Sequence, residues 1–434
     1  MRLFDPPLMR LLTFLTRKQA WLSPREVAKG FRAGEAKVTT RTVERWFFFL
    51  REEGEFIYYP YPRADRMGLQ DVLVRIHGLR NPEVLSVLPF SSGFSVEVGL
   101  ADGHPFISQT YWVPGDALRQ FEEFWGAARD LRLLDHVELF RSRNTHFLFS
   151  PFHEVVTEDG RAHISGPVDN RYFEALLKRN LREPFEVKLA ETYAESPLII
   201  PSVVEHLWGH CSSHDVWEAI QSRGAEYVGK HAKGTTARAL RRPGAALRLL
   251  QEQWQRLVDD FEAHFLQPRV LFAWPRLQNS MFLSFLARTS SLDGMVDLAA
   301  RASENALVTA VRPGLGPEGW CHVSCFMPTD QQLAVLREVN AHHHDRAPPT
   351  IAIQDRQATV EMFQPSFCKV DWRLFDPGEL SWRFEGSKFL EQLKGLNGSD
   401  VRPLKVSPGP SVTEVIREER EHHHEDPPRR KRRA

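Results

Sequence analysis

The feature that most constrains this chain is a repeat at a fixed offset. Pro114-x-Asp116 recurs as Pro328-x-Asp330, 214 residues later. At the same offset Thr145 falls on Thr359, Phe149 on Phe363 and Pro151 on Pro365, and the strand residues Val137 and Leu139 fall on Ile351 and Ile353. Trp112 and Phe326, both at strand ends, also coincide, and Phe173, Leu177 and Lys178 match Phe389, Leu393 and Lys394 at an offset of 216. Single matches of this kind arise easily. A constant offset that carries the same strand–helix–strand pattern is the signature of a duplicated unit. The alternative is two unrelated α/β units that share common turn residues.

The repeated unit reads as βαββαβ over residues 67–153. Val72 to Ile76 is a strand, and Asn81-Pro82 opens a short helix bearing Val84, Leu85 and Leu88. Phe94 to Val98 alternates with period two, as a half-buried strand does. Phe106 to Val113 is the third strand. Pro114-Gly115-Asp116 starts a helix carrying Leu118, Phe121, Phe124, Ala128 and Leu131, and Val137 to Phe140 is the fourth strand. This order is the split-βαβ, or ferredoxin-like, unit. The second copy is expected over 269–365, with Val270 to Trp274 as its first strand and an insertion between Asn279 and Arg301. Appended segments follow the copies, at 154–195 and 366–396.

Residues 1–66 read as a winged helix-turn-helix. Leu8, Leu11, Leu12 and Leu15 recur at helical spacing. Ser23-Pro24-Arg25-Glu26 is a capping box ahead of a short helix with Val27 and Phe31. Thr39 or Thr40 caps a third helix whose buried stripe is Val43, Phe47 and Leu50, and a strand and turn follow Gly54. In this motif the third helix enters the major groove. Thr39 and Thr40 at its start, with Arg41, Glu44 and Arg45 off the apolar stripe, are the candidate DNA contacts. The segment holds 13 Lys/Arg against 8 Asp/Glu in a chain whose totals are balanced at 56 each. The alternative is a small helical domain with solvated charges.

A helix-turn-helix, a connecting strand, Gly68-Leu69 and then a βαββαβ unit resembles the Lrp/AsnC family of prokaryotic transcription regulators, here as a tandem duplication. The resemblance covers residues 1 to 150. It implies DNA binding, pairing of the α/β units and a small-molecule effector, often an amino acid. The aromatic, proline-rich connector Tyr58 to Arg63 and the long turn from Ala33 to Val38 depart from the family pattern, and no ligand-loop motif is matched.

A second helix-turn-helix-like helical domain is expected at 196–268. Ser212-Ser213-His214-Asp215 is a capping signal. Residues 227–248 carry six basic side chains and no acidic one, among them Lys230, Lys233, Arg238, Arg241 and Arg242. Such a segment is a candidate for phosphate contact, with a solvated basic surface as the alternative. Residues 397–434 read as a disordered tail whose Arg429 to Arg433 tip adds sequence-independent phosphate affinity.

Other chemistries lack a signal. The four cysteines form no CxxC pair, which disfavours a disulfide framework or structural zinc. Cys321-x-x-x-Cys325 places two thiols on one face of a strand, as core residues. The triplets His342–His344 and His422–His424 read as polar surface rather than metal ligands. No P-loop, dinucleotide, zinc-protease or nucleophile-elbow motif occurs. No catalytic residue, cofactor or metal site is assigned. No apolar run is long enough to span a membrane, and Arg10, Arg17 and Lys18 interrupt any signal-peptide pattern. The expected fold class is α+β, with tandem winged helix-turn-helix and ferredoxin-like units. The expected function is a cytoplasmic, nucleoid-associated regulator that binds specific double-stranded DNA, with a small-molecule effector. The two α/β units are expected to meet as an intramolecular pseudo-dimer, with further oligomers open. The alternative function is a non-catalytic ligand-binding or protein-interaction module that uses the same units for assembly.

Overall fold

A computed structural model describes residues 2–17, 24–33, 36–54, 57–165, 171–194, 196, 198–207, 213–232, 236–238, 241–259, 266–271, 279–289, 291–315, 319–341, 349–364 and 370–396. The class is α+β.

The N-terminal module comprises α1 (Pro6–Arg17), α2 (Pro24–Gly30), a two-residue ladder of β1 (Arg32–Ala33) and β2 (Ala36–Lys37), and α3 (Thr40–Gly54). The Thr39 hydroxyl caps α3 by accepting from the Thr42 amide at 3.2 Å, which satisfies one of the orphan N–H groups at a helix start. Leu8, Leu11, Leu12, Leu15, Val27, Phe31, Val43 and Leu50 form its core. That core continues into Phe152, Val155, Leu307 and Phe326, so the module is packed onto the α/β body.

In the first α/β unit, β4 (Leu69–His77), α4 (Val84–Val87), β5 (Ser91–Gly99), β6 (Pro105–Pro114), α5 (Leu118–Asp130) and β7 (His136–Ser142) follow in sequence. Successive strand residues point to opposite faces, so β4 sends Val72, Val74 and Ile76 toward the helices. On α5, Phe121, Phe124, Trp125 and Ala128 recur at helical spacing and are buried against that face. The second unit repeats the plan with β10 (Ser280–Arg288), the helix Leu292–Ser303, β11 (Val308–Pro313), β12 (Trp320–Pro328), the helix Gln332–Ala341 and β13 (Thr350–Gln354). Leu283, Phe285, Cys321, Val323 and Cys325 face the helices here. Burial pushes the thiols of Cys321 and Cys325 up to about 12, as expected of inert core cysteines.

The units join edge to edge in one nine-stranded antiparallel sheet. Its order is β7-β4-β6-β5-β13-β10-β12-β11-β8, where β8 is His146–Phe149. One seam pairs Glu97, Val98 and Gly99 with Gln354, Ile353 and Ala352. At the other, β8 leaves the first unit and pairs Phe149, Leu148, Phe147 and His146 with Val308 to Val311 of β11. The Arg143 amide donates to Pro313 and the Leu315 amide to Arg141. The two ends of the sheet therefore meet at the β7–β8 corner. The helices lie outside, and the opposite faces of both units turn toward each other.

Two sequence expectations change. The first strand of the second unit is β10, not Val270 to Trp274. Met281-Phe282-Leu283-Ser284-Phe285-Leu286-Ala287 is an almost continuous apolar run, as a strand covered on both faces has. The residues read as an insertion are therefore this strand and the helix after it. Strand β9 (Leu266–Leu271) lies outside the main sheet and pairs with β3 (Ile57–Pro62). β3 is thus joined to the second half's connector rather than to β1 and β2.

The appended segments cross over. The helix Arg171–Arg182 follows the first unit but buries Leu177 and Leu181 among Met295, Leu298 and Ala299 of the second. The helix Gly386–Leu396 follows the second unit but buries Phe389 and Leu393 in the core of the first. Each half is strapped by the other's extension. The central helical module consists of Ile199–Leu207, Ser213–His231 and Pro243–Asp259. It receives Trp372, whose indole donates to the buried Glu205 at 2.7 Å. Gly224 takes a non-helical conformation inside Ser213–His231, and a Cβ there would stand 2.0 Å from the Trp372 ring.

Candidate functional site

The residues that turn away from the helices build a polar cluster between the two halves. On β4 they are Asp71, Leu73, Arg75 and His77. The register pairs Arg75 with Ser108 of β6 and Glu138 of β7. Offset strand positions bring Glu97 of β5 and Ser284 of β10 together across the first seam, where the Ser284 hydroxyl donates to Glu97. From the second unit come His322 of β12 and its register partner Arg312 of β11. Asp71, Arg75, Glu97, Ser108, Ser284 and His322 are each 5% exposed or less. On a flat sheet five strand spacings would separate β4 from β12 by roughly 24 Å. The curl instead brings Arg75 close enough for its charge to act on His322.

Arg75 dominates the cluster. Its guanidinium carbon lies 5.2 Å from the Phe106 ring centre and 5.9 Å from that of Phe140, in cation–π range. Burial works against its charge, and Glu97 and Glu138 oppose that effect. Yet those carboxylates have other partners. Glu97 accepts from Ser95 and Ser284, and Glu138 pairs with His77. Arg75 Nε and Nη2 are buried with no hydrogen-bond partner. The Ser108 hydroxyl beside them is in the same condition. An unmatched buried donor costs about 1–3 kcal/mol, more when charged, so several at one point call for an explanation.

A chain of polar contacts continues to the second half. Arg312 Nε donates to Thr145 Oγ1 at 3.0 Å, and the Thr145 hydroxyl donates to Asp71 Oδ2 at 3.2 Å. Arg312 Nη1 stands 3.5 Å from His322 Nδ1. Burial raises the Asp71 carboxyl to about 6, with Arg312, Thr145 and Ser142 pulling the other way. Burial, then the charges of Arg312 and Arg75, hold His322 well below its usual range, so the ring is neutral at pH 7. His322 Nε2 and Asp71 Oδ1 are buried without partners. Aromatic rings wall the site. Phe140 and Trp320 meet edge to face at 5.3 Å. Trp320 lies over Gly314, where a Cβ would come within 2.4 Å of the indole.

The residues proposed from the sequence lie elsewhere. Thr39 and Thr40 begin α3, and Arg41, Glu44 and Arg45 are exposed along it. Lys230 is in the last turn of Ser213–His231, and Arg238, Arg241 and Arg242 are exposed on the link to the next helix. Lys230 thus ends one helix, and Arg241 and Arg242 precede another that starts at Pro243. Lys233, both histidine triplets and the 397–434 tail lie outside the described residues. No cluster of metal-ligating side chains occurs among the described residues. None of their helices is long and apolar enough to cross a membrane.

Sequence reasoning missed Asp71, Arg75, Ser108, Arg312 and His322. A signal existed in β4, where Asp71 and Arg75, four residues apart and so on one face, are charges set among Val72, Leu73, Val74 and Ile76. The partners come from strands more than two hundred residues apart in the chain, and no local pattern joins them.

No family model matches the chain, and no curated protein matches its sequence. Among solved structures, one similar to it is the siroheme decarboxylase NirDL, at 9% identity and a TM-score of 0.41, covering 90% of this chain and 98% of that one. The same protein in complex with an iron-uroporphyrin III analogue aligns at 10% identity and a TM-score of 0.39, covering 89% and 97%. An anthrone oxidase-like protein aligns at 9% identity and 0.27, covering 67% and 92%. These findings correct the expected membership of the Lrp/AsnC-type transcription regulators and the expected function as a DNA-binding regulator. The matched structures are not plain transcription regulators, and no family model supports that assignment. The physical reason is that the order of elements, on which the resemblance rested, specifies a scaffold and leaves its chemistry open.

Proposed function

We propose that this protein binds a carboxylate-bearing small molecule between its two α/β units, at Arg75, Ser108 and His322. The single observation that carries the reading is the unpaired Nε and Nη2 of the buried Arg75. These two N–H groups form one edge of the planar guanidinium, and that fork matches the two oxygens of a carboxylate. The flanking Phe106 and Phe140 rings favour a ligand whose body is apolar or aromatic. Amino acids belong in the same chemical class. In this reading the tandem helix-turn-helix-like modules serve assembly. α1 shares a core with Phe152 and Val155, and the central helices receive Trp372. One chain supplies both halves of the site as a pseudo-dimer.

A second reading, that the bound anion is also transformed, is favoured by Asp71. Its carboxyl titrates near 6 at the end of the polar chain leading to His322, in the range useful for proton exchange. The test is calorimetric titration of the full chain with benzoate, phenylalanine, succinate and inorganic phosphate, with each mixture then assayed for new products. Saturable binding of a carboxylate that is lost in Arg75→Met supports the proposal. Equal binding by wild type and variant refutes it. New product with wild type alone favours the second reading.

A further inference from the structure

We infer that Arg312 is a positioning residue that fixes the His322 ring with its proton on Nε2, making His322 a hydrogen-bond donor to the bound anion rather than a base. This rests on the proposed anion site and specifies how the second half completes it. The argument is one of donor direction. Arginine has five N–H donors and no acceptor. At 3.5 Å from Arg312 Nη1, His322 Nδ1 therefore accepts. A neutral imidazole carries one proton, so Nε2 bears it. The same directionality anchors Arg312 from behind. Its Nε donates to Thr145 Oγ1, which commits the Thr145 hydroxyl hydrogen to Asp71 Oδ2. Donation diverges from Arg312, on one side to His322 Nδ1 and on the other through Thr145 to the Asp71 carboxylate. The charged groups acting on the ring are Arg312 and Arg75, both cations that disfavour a second proton.

The consequence is a cradle of donors drawn from both halves. Arg75 Nε and Nη2 come from the first unit and His322 Nε2–H from the second, all buried and without partners, with the Ser108 hydroxyl free to turn and donate. Such a set recognises an acceptor-only group, as an ionised carboxylate is, and disfavours a cation. Ser108 and His322 occupy matching positions, 214 residues apart in the repeat. The duplication thus supplies each half with one uncharged polar group at the same point of β6 and β12.

The test reads the tautomer directly and needs no ligand. Long-range 15N–1H spectra are recorded at pH 7 on the full chain labelled in histidine, with the His322 signals assigned from His322→Asn. The inference expects a neutral ring protonated at Nε2 in wild type. It expects a mixture of tautomers in Arg312→Met and partial mixing in Thr145→Val. A ring protonated at Nδ1 in wild type, or an unchanged tautomer in Arg312→Met, overturns it. Benzoate titration adds a second readout. Arg312→Met should weaken benzoate at least tenfold with Arg75 intact, and equal affinity overturns the positioning role. If benzoate and phosphate both fail to bind wild type, the binding proposal fails, while the tautomer result still decides this inference.

Discussion

The inner faces of the two α/β units occupy matching places in one sheet and carry different contents. Where the first unit has Arg75 opposite Ser108, the second has Leu286 opposite His322. Asp71 opposite Trp112 corresponds to Phe282 opposite Phe326. The first face holds three carboxylates and a buried guanidinium. In the second, the Phe282 and Phe326 rings lie 4.6 Å apart at a tilt of 42°, beneath Arg356. On the helix-facing sides the halves remain alike, both densely apolar. The helix-facing side must exclude water for either half to fold, which restricts it to hydrophobic residues of suitable volume. The inner side is free to diverge, because buried polar groups can answer one another across the seam.

The comparison assigns packing to the Phe282–Phe326 end of the second inner face and recognition to the cluster of Arg75, Ser108 and His322, and variants can break that division. The largest expected effect is on stability. Phe326→Ala should cost about 3–5 kcal/mol in chemical denaturation, because Phe326 is 1% exposed and joins the core that holds the N-terminal module. Anion affinity should change little, and an equal loss of binding would show that the Phe326 end of the second face also contacts ligand. Next, Arg75→Met should weaken carboxylate binding by about 1.5–3 kcal/mol, the range for hydrogen bonds to a charged group. Thermal stability of the unliganded protein should hold or rise, since an unmatched buried charge is removed. A marked fall in melting temperature would make Arg75 structural.

The third prediction concerns pH. The folded protein raises the Asp71 carboxyl from 3.8 to about 6, so between these values it binds the proton more tightly than the unfolded chain does. This contribution to stability is full below about pH 4 and is lost as pH rises through 6, by on the order of 2–3 kcal/mol. His322 acts in the opposite sense, because burial holds it neutral while the unfolded ring is protonated below 6.5. Its effect cancels when wild type is compared with Asp71→Asn. The difference between their stability curves should therefore slope between pH 4 and 6 and flatten above. A flat difference throughout would show that Asp71 is not perturbed. The smallest effect is at the seam. Ser284→Ala removes one of the donors to Glu97 and should cost about 1–2 kcal/mol, read by denaturation. No change would mean that the seam is held by its backbone ladder alone.

How much of this was legible varies by region. The strands β4 to β7 and the stripe on α5 follow from local periodicity, and so do the buried thiols of β12. The second unit was misread at its start, because Val270 to Trp274 is as strand-like as Met281 to Ala287. The choice between them depends on which strand pairs with β12 and β13. The seam could not be seen in either copy, since Glu97, Ser284 and Gln354 carry no mark of adjacency. The crossed straps were hidden for the same reason. Leu177 and Phe389 read as buried positions, but periodicity does not say against whose core.

The sequence by itself determined the repeat, the α+β class and the alternation that separates a helix side from an inner side. These are local properties, fixed by backbone geometry and by the spacing of apolar residues along one segment. Only the tertiary structure decided that the two sheets join at both seams and that each half is strapped by the other's extension. It alone decided that Arg75 and His322, far apart in the chain, share one buried site. The physical reason is that an inward-facing charge is costly or useful according to what stands opposite it. What stands opposite is set by the curl of a sheet built from both halves, which no single segment encodes.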